Sequence, residues 1–279
     1  MKYFRKTIRI FTFFIALVIQ SNYGYSATYD SLTPTQPPRI PVTDYGDGSH
    51  KILDFLYLRY SFDIGDLNGI GFGYNYVNNF ENTNTAYNLG AGFLYLNGTG
   101  SVDTTDVDIY NWNLPLNANL GMRILGTQNS NNLMLIGGLH WTYTWLVVDI
   151  NSGEHDAYLY GPAYGPLFGA KAQFVLSKDV TIIPFYIFHH AIFDYSLEVD
   201  GYPVDVDIDP VTSHFLGFDI KFGSLSLGAL FDMLNNTDND KITIMFTYDL
   251  DYNSNASAAE SSTEIDETKK DNKKLKKAK

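Results

Sequence analysis

The densest run of chemistry-bearing side chains is 203-PVDVDIDP-210. Asp205, Asp207 and Asp209 alternate, so an extended chain puts three carboxylates on one face. Hard cations such as Ca²⁺ take several oxygen ligands, which makes this spacing a candidate divalent-cation site. The EF-hand pattern fails, because no Gly follows the third acid and no later Glu closes the set. A plain solvated acidic loop is the competing reading. Histidines form the second group. His140, His189, His190 and His214 sit in strand-like stretches, and Ser213-His214 and His189-His190 with Asp194 supply the residue types of a hydrolase. Neighbours on a strand point opposite ways, so neither adjacent pair converges directly. There is no nucleophile elbow and no triad spacing. The default role of these histidines is lumenal or interfacial, and the expectation is a chain that is not an enzyme and carries no cofactor beyond a possible Ca²⁺ at the acidic loops. The alternate glycines of 69-GIGFG-73 are not a dinucleotide fingerprint, since a strand pattern runs through them and no helix follows. Facing inward, they make room for neighbouring side chains or let a strand bend.

The elements that carry these residues are strands. From Lys51 to Tyr252 apolar residues alternate with Gly, Asn, Thr and occasional charges. In 107-VDIYNWNLPLNANLGMRIL-125, Tyr110, Trp112, Leu114, Leu116, Ala118, Leu120 and Met122 share one face. Asn111, Asn113, Asn117, Asn119, Gly121 and Arg123 share the other. A period of two is the signature of a strand with one apolar and one polar face. Strands are expected near 51–62, 69–78, 84–96, 107–125, 132–149, 157–176, 180–195, 211–222, 225–234 and 241–250, separated by Gly, Asn, Asp and Ser clusters. The same rhythm puts Ile70, Phe72, Tyr74 and Tyr76 opposite Gly71, Gly73 and Asn75. Leu135, Leu139, Trp141, Tyr143 and Trp145 fall opposite His140, Thr142 and Thr144.

Compartment follows from the ends. Residues 1–26 read as a secretory signal: Lys2, Arg5, Lys6 and Arg9, then the apolar Ile10–Ile19, then small residues for cleavage after Ser26 or Ala27. The apolar run is shorter than the roughly 20 residues a spanning helix needs. Residues 27–50 form a Pro-rich periplasmic linker, 51–252 the strand region, and 253–279 a disordered, Lys-rich periplasmic tail. The absence of cysteine excludes disulfides, thiolate metal sites and thiol catalysis. The net charge is −12, carried by the strand region, which argues against nucleic acid.

Alternation alone does not say which face looks outward, because a soluble lipocalin-like barrel shares it. Two features favour the membrane. The polar faces suit a wet or hydrogen-bonded lumen, with Arg59, Arg123 and Lys171 available to Asp219 or Asp232. The connections also differ in character: of 79–83, 126–131, 177–179 and 223–224 at the periplasmic end, two are very short turns, whereas 63–68, 97–106, 150–156, 196–210 and 235–240 outside include the longest loop. The acids follow the same split: the outer connections and their flanks carry most of those near a turn, and the inner turns hold only Glu81 and Asp179. Tyr57, Tyr60, Tyr74, Tyr76, Trp112, Trp141, Tyr143, Trp145, Tyr186 and Tyr248 are candidates for interfacial girdles.

The passages 114-LPLNANLGMRI-124, 161-GPAYGPLFGAKAQF-174 and 241-KITIMFTYDL-250 resemble strands of the small outer-membrane β-barrel proteins of Gram-negative bacteria, the porin-like class. The resemblance implies an all-β, closed antiparallel transmembrane barrel of about ten strands, with eight or twelve as alternatives. It implies a lipid bilayer and lipopolysaccharide as surroundings and the barrel-assembly machinery as a partner. One departure stands out: many members end on the aromatic of the last strand, whereas this chain continues past Leu250 to Lys279. The expected function is a porin-like or structural barrel with an acidic outer face and a narrow cation-favouring pore. A surface adhesin or ligand-binding barrel is the alternative, and an outer-membrane hydrolase stands behind it.

Overall fold

The computed structural model describes residues 48–62, 65–80, 83–102, 105–127, 130–150, 155–177, 180–205, 208–232 and 241–252. The expected signal at 1–26, the expected linker as far as residue 47 and the expected tail from 253 lie outside them. The elements are β1 (Gly48–Phe62), β2 (Gly65–Asn79), β3 (Thr85–Val102), β4 (Thr105–Leu125), β5 (Asn132–Ile150), β6 (His155–Val175), β7 (Val180–Phe193), β8 (Ser196–Val199), β9 (Tyr202–Val204), β10 (Val211–Phe222), β11 (Leu225–Asp232) and β12 (Lys241–Asp249). All pairings are antiparallel, and β12 pairs with β1 to close the sheet. Ten strands form the barrel, with β8 and β9 as a hairpin beside the outer half of β6. Closure leaves no open edge along the ten-stranded wall.

The alternation holds in three dimensions. Ile70, Leu116, Leu120, Leu139, Phe168 and Ile244 are exposed on the outer surface. Their neighbours Asn75, Asn111, Asn117, Asn119, His140 and Thr142 are buried in the interior. This is the reverse of a water-soluble domain, where buried polar groups and exposed large apolar side chains are the exceptions. The sheet must place every second residue inside, and here the inside takes Asn and the outside takes Leu, Phe and Trp.

The interior is less wet than the sequence pattern implies. Leu58, Leu67, Leu94, Leu96, Ile109 and Leu146 pack into one buried apolar cluster. A second, of Met134, Ile136, Leu167, Phe185, Ile187 and Phe215, lines the β5 to β10 side. Small barrels fill with side chains, and this one divides its interior between hydrocarbon clusters and buried polar groups. Register shows how one ring is built. Leu58 pairs with Thr243, Thr243 with Leu230, Leu230 with Gly217, Gly217 with Phe185 and Phe185 with Lys171. A Cβ on Gly217 would stand 2.3 Å from the Phe185 ring, so glycine there lets the ring cross. The inward glycines of 69–73 work the same way: a Cβ on Gly71 would meet Leu94 at 2.0 Å.

Three details differ from the sequence pattern. The stretch 97–106 is mostly strand, because β3 runs to Val102 and β4 resumes at Thr105 with continuous pairing. Nothing in Asn97-Gly98-Thr99 breaks a ladder, and Gly98 admits the backbone of Asp66. The loop at 196–210 contains the β8–β9 hairpin. Asp200 (φ 50°) and Gly201 (φ 78°) form its two-residue turn, the positive-φ pair that matches sheet twist. Finally, two side chains sit on the other face. Tyr60 is fully buried in the interior apolar cluster, so it is no girdle residue. Arg59 points outward and lies 3.7 Å from Asp66, away from the lumenal Asp219. Strand parity decides both: Leu56, Leu58 and Tyr60 share the inner face, which makes Arg59 an outer residue.

Candidate functional site

Three regions carry polar groups that a barrel of this kind could use. The lowest is a side-chain chain across five strands. Asn119 on β4 donates to Asn88 Oδ1 on β3 at 2.7 Å, and Asn88 donates to Asn75 Oδ1 on β2 at 3.1 Å. Asn75 donates to Asp54 on β1, and Asp54 also accepts from Thr247 Oγ1 on β12 at 3.0 Å. Each residue is inward and buried, one per strand, which the register permits because neighbours on adjacent strands face each other. Gly90 makes the space: a Cβ there would stand 2.1 Å from Asn75 Oδ1 and 2.6 Å from Asn117 Nδ2. Beside Asn88 and Asn119 lies a cavity of about 30 Å³, also lined by Met134, Ile136 and Lys171. That is room for one or two waters. Nearer the terminal end, His50 Nδ1 lies 3.1 Å from Asp249 Oδ2.

The middle level holds the histidines. His140 on β5 and His189 on β7 both face inward and are almost fully buried. Their rings meet edge to face, with centroids 5.1 Å apart and planes at 89°. Register puts Ser213 on β10 opposite His189. This convergence is invisible in sequence, because it depends on which strands pair. The Ser213 hydroxyl makes no hydrogen bond, so no nucleophile–base contact joins it to His189. His190 and His214 face the other way. His190 Nδ1 lies 3.0 Å from Thr212 Oγ1, and Tyr186 OH lies 2.6 Å from His214 Nδ1, on the outward side of the sheet, where the Tyr186 and Phe188 rings cover His214. Each adjacent pair is therefore split between the two faces, as strand geometry requires.

The upper level is a roof and a rim. Tyr195, between β7 and β8, donates to Thr144 Oγ1 at 3.1 Å, and Thr144 donates to Asn113 Oδ1 at 2.8 Å. Burial pushes the Tyr195 phenol up to about 12, with the Thr144 hydrogen bond opposing the shift, so it stays a neutral donor. Phe193, Leu197 and Ile208 pack onto the apolar cluster below it. Outside, β3 to β6 and the hairpin rise as a wall whose outer face is acidic. Asp108 pairs directly with Asp149, and Asp149 with Asp156. Tyr160 donates to Glu198 at 2.7 Å, and Tyr158 to Asp156 at 3.2 Å. Like charges directly opposite are unfavourable in a sheet. A row of three is a feature to explain, and its position above the apolar surface is the first clue.

Of the acidic loop, Asp205 and Asp209 are exposed and Asp207 lies outside the described residues. Among the described residues no group of three or more His, Asp or Glu side chains comes together as a metal site. Arg123 and Lys171 are buried inside the barrel, as their parity implies, and Asp219 is buried there too.

No protein-family model matches the chain, and no curated protein matches it. It is similar to the translocator domain of the autotransporter NalP from Neisseria meningitidis, at 14% identity and a TM-score of 0.45, over 73% of this chain and 88% of that one. It is similar to the transport unit of the autotransporter AIDA-I from Escherichia coli, at 7% identity and a TM-score of 0.45, over 75% and 92%. It is also similar to the outer membrane protein OprG from Pseudomonas aeruginosa, at 15% identity and a TM-score of 0.38, over 73% and 96%.

Proposed function

We propose that this chain is a non-enzymatic barrel of the Gram-negative outer membrane whose lumen is closed and whose acidic wall faces the exterior. The observation that carries the reading is the inverted cross-section: exposed Leu, Phe and Ile outside a ring of buried Asn, Asp and His. A surface of that kind needs lipid, since contiguous apolar patches of this extent are costly in water. Where the apolar surface ends, Arg59, Asn68 and Asp66 appear on the outer face of β1 and β2. Tyr110, Trp112 and Trp145 lie at the corresponding height on β4 and β5, with rings in mutual contact. Aromatics at the edge of an apolar band fit a lipid–water boundary.

Closure of the lumen rests on the upper apolar cluster and its roof. Leu58, Tyr60, Leu94, Leu96 and Leu146 fill the cross-section with hydrocarbon, which a hydrated ion does not cross readily. The acidic wall above it then serves as a displayed surface, with a field that attracts cationic ligands or the divalent ions between lipopolysaccharide phosphates. In this reading residues 1–26 export the chain, and both termini of the barrel face the periplasm with the barrel-assembly machinery as the inserting partner. The Asn-lined side of β1 to β4 favours a second reading, a narrow cation-favouring pore. Planar-bilayer recording of the purified barrel separates the two. Silence supports the closed barrel; stable unitary steps with cation preference contradict it and establish the pore.

A further inference from the structure

The cavity beside Asn88 and Asn119 lies where β2 ends and β3 begins, since Asn79 and Ala86 belong to its lining. Its polar lining is Asn79, Asn88, Asn119 and Lys171, each more than nine-tenths buried. A second cation stands next to it. Arg123 on β4 pairs with Met134 on β5, and Met134 pairs with Lys171 on β6, so two inward, buried cations flank one lining residue. The buried carboxylates Asp54, Asp219 and Asp249 belong to β1, β10 and β12, none of which contributes to the lining. A recess walled by one sign of charge concentrates ions of the other sign, so the ligand is an anion. The amides narrow its chemistry. Asn119 Nδ2 donates to Asn88 Oδ1 at 2.7 Å and to Asn117 Oδ1 at 3.1 Å, which uses both amide protons and fixes which end of the amide is oxygen. Asn119 Oδ1 is then left buried without a donor. Asn88 Nδ2 donates one proton to Asn75 and keeps its second.

We infer that this cavity binds the head of a short 2-hydroxycarboxylate. The carboxylate meets the Lys171 ammonium and the second Asn88 amide proton, the hydroxyl donates to Asn119 Oδ1, and the carbon end lies toward Val77, Met134 and Ile136. Size supports the class: a volume of about 30 Å³, room for one or two waters, suits the two oxygens of a carboxylate better than the four of a phosphate. Charge decides the donor. An ammonium beside the carboxylate would sit close to Lys171 and Arg123 and be repelled, whereas a hydroxyl supplies the same proton without charge. The apolar side of the lining favours a ligand with carbon to bury over a bare inorganic anion. Leu94 and Leu96, which belong to the apolar cluster, stand further along β3 toward the outside, so the ligand enters from the periplasmic end and its binding does not depend on conduction.

The test uses the mature full-length chain folded in detergent, with folding checked by heat-modifiable gel migration. L-lactate is the probe, titrated by calorimetry beside lactamide, which lacks the charge, and propionate, which lacks the hydroxyl. Saturable lactate binding with a dissociation constant of about 1 mM or tighter supports the site, with lactamide at least about 10-fold weaker and propionate at least about 3-fold weaker, the losses expected of one charge-assisted and one neutral hydrogen bond. Lys171→Met weakens lactate at least about 10-fold, while Lys51→Gln, on an exposed side chain outside the cavity, leaves it unchanged. Absence of saturable lactate binding, or lactate bound equally by Lys171→Met, overturns the assignment, and so does equal binding of lactamide or propionate by wild type. If Lys171→Met fails to fold, the three-ligand comparison on wild type decides alone.

Discussion

Replacing Asn88 tests how the barrel interior is held together. Asn88 accepts from Asn119 at 2.7 Å and donates to Asn75 at 3.1 Å, so Asn88→Ala removes two buried neutral hydrogen bonds. At about 1 kcal/mol each, the direct loss is about 2 kcal/mol. Asn119 keeps its bond to Asn117 at 3.1 Å, and the adjacent cavity of about 30 Å³ admits water to the space vacated. The expected loss for the alanine variant is therefore about 1–2 kcal/mol. Asn88→Leu is the sharper variant. It fills the space, excludes water and strands Asn75 Oδ1 and one Asn119 proton, so its loss rises to about 2–4 kcal/mol by the cost of unsatisfied buried groups. If the interior were an ordinary apolar core, leucine would stabilise instead, by roughly the 1.5–3 kcal/mol of a buried side chain. Urea titration of the barrel in phospholipid vesicles, read by the three tryptophans, measures the order. Leucine at or above wild-type stability refutes the polar-network account.

Three further outcomes follow from particular contacts. Leu139→Arg puts a charge on an outer position that is 65% exposed, and costs about 2–4 kcal/mol in vesicles if that surface meets lipid; Thr99→Arg on the wall above costs under about 0.5 kcal/mol in the same urea titration. Gly90→Ala drives a methyl into Asn75 and Asn117 and lowers stability by about 1–3 kcal/mol through overpacking, seen as a lower urea midpoint with unchanged slope. Asp149→Asn breaks the row between Asp108 and Asp156 and raises stability by up to about 1 kcal/mol at low salt, a gain that fades as NaCl rises.

Faces were legible in the sequence because parity is local: Tyr110 to Met122 outside and Asn111 to Arg123 inside follow from period two alone. Strand number was legible for a related reason, since short turns such as Gly223-Ser224 punctuate the pattern. Three things were hidden. Where both faces are apolar, as in 52-ILDFLYL-58, alternation cannot say which residues line the lumen, so the interior clusters and the burial of Tyr60 went unseen. Pairing is a tertiary fact, so His189 beside His140 and opposite Ser213 had no local signal. Strand ends beyond the apolar zone were hidden too, because the wall of β3 to β6 is held by ladder hydrogen bonds and hairpins instead of hydrophobic contrast, and Asp or Asn there reads as loop. A search for buried residue types on inward parity would have singled out His140 and His189, though not their contact.

The central claim is that the outer face of this barrel meets lipid, and the absence of cysteine makes it directly measurable. Single cysteines at positions 134 to 142 along β5, spin-labelled in vesicles, report access to oxygen and to a water-soluble nickel complex. Oxygen access alternating, with maxima at 135, 137, 139 and 141 and little nickel access there, is the expected result. A mature chain recovered in the aqueous fraction, with Leu135 and Leu139 open to the nickel complex or sealed from both probes, contradicts the account.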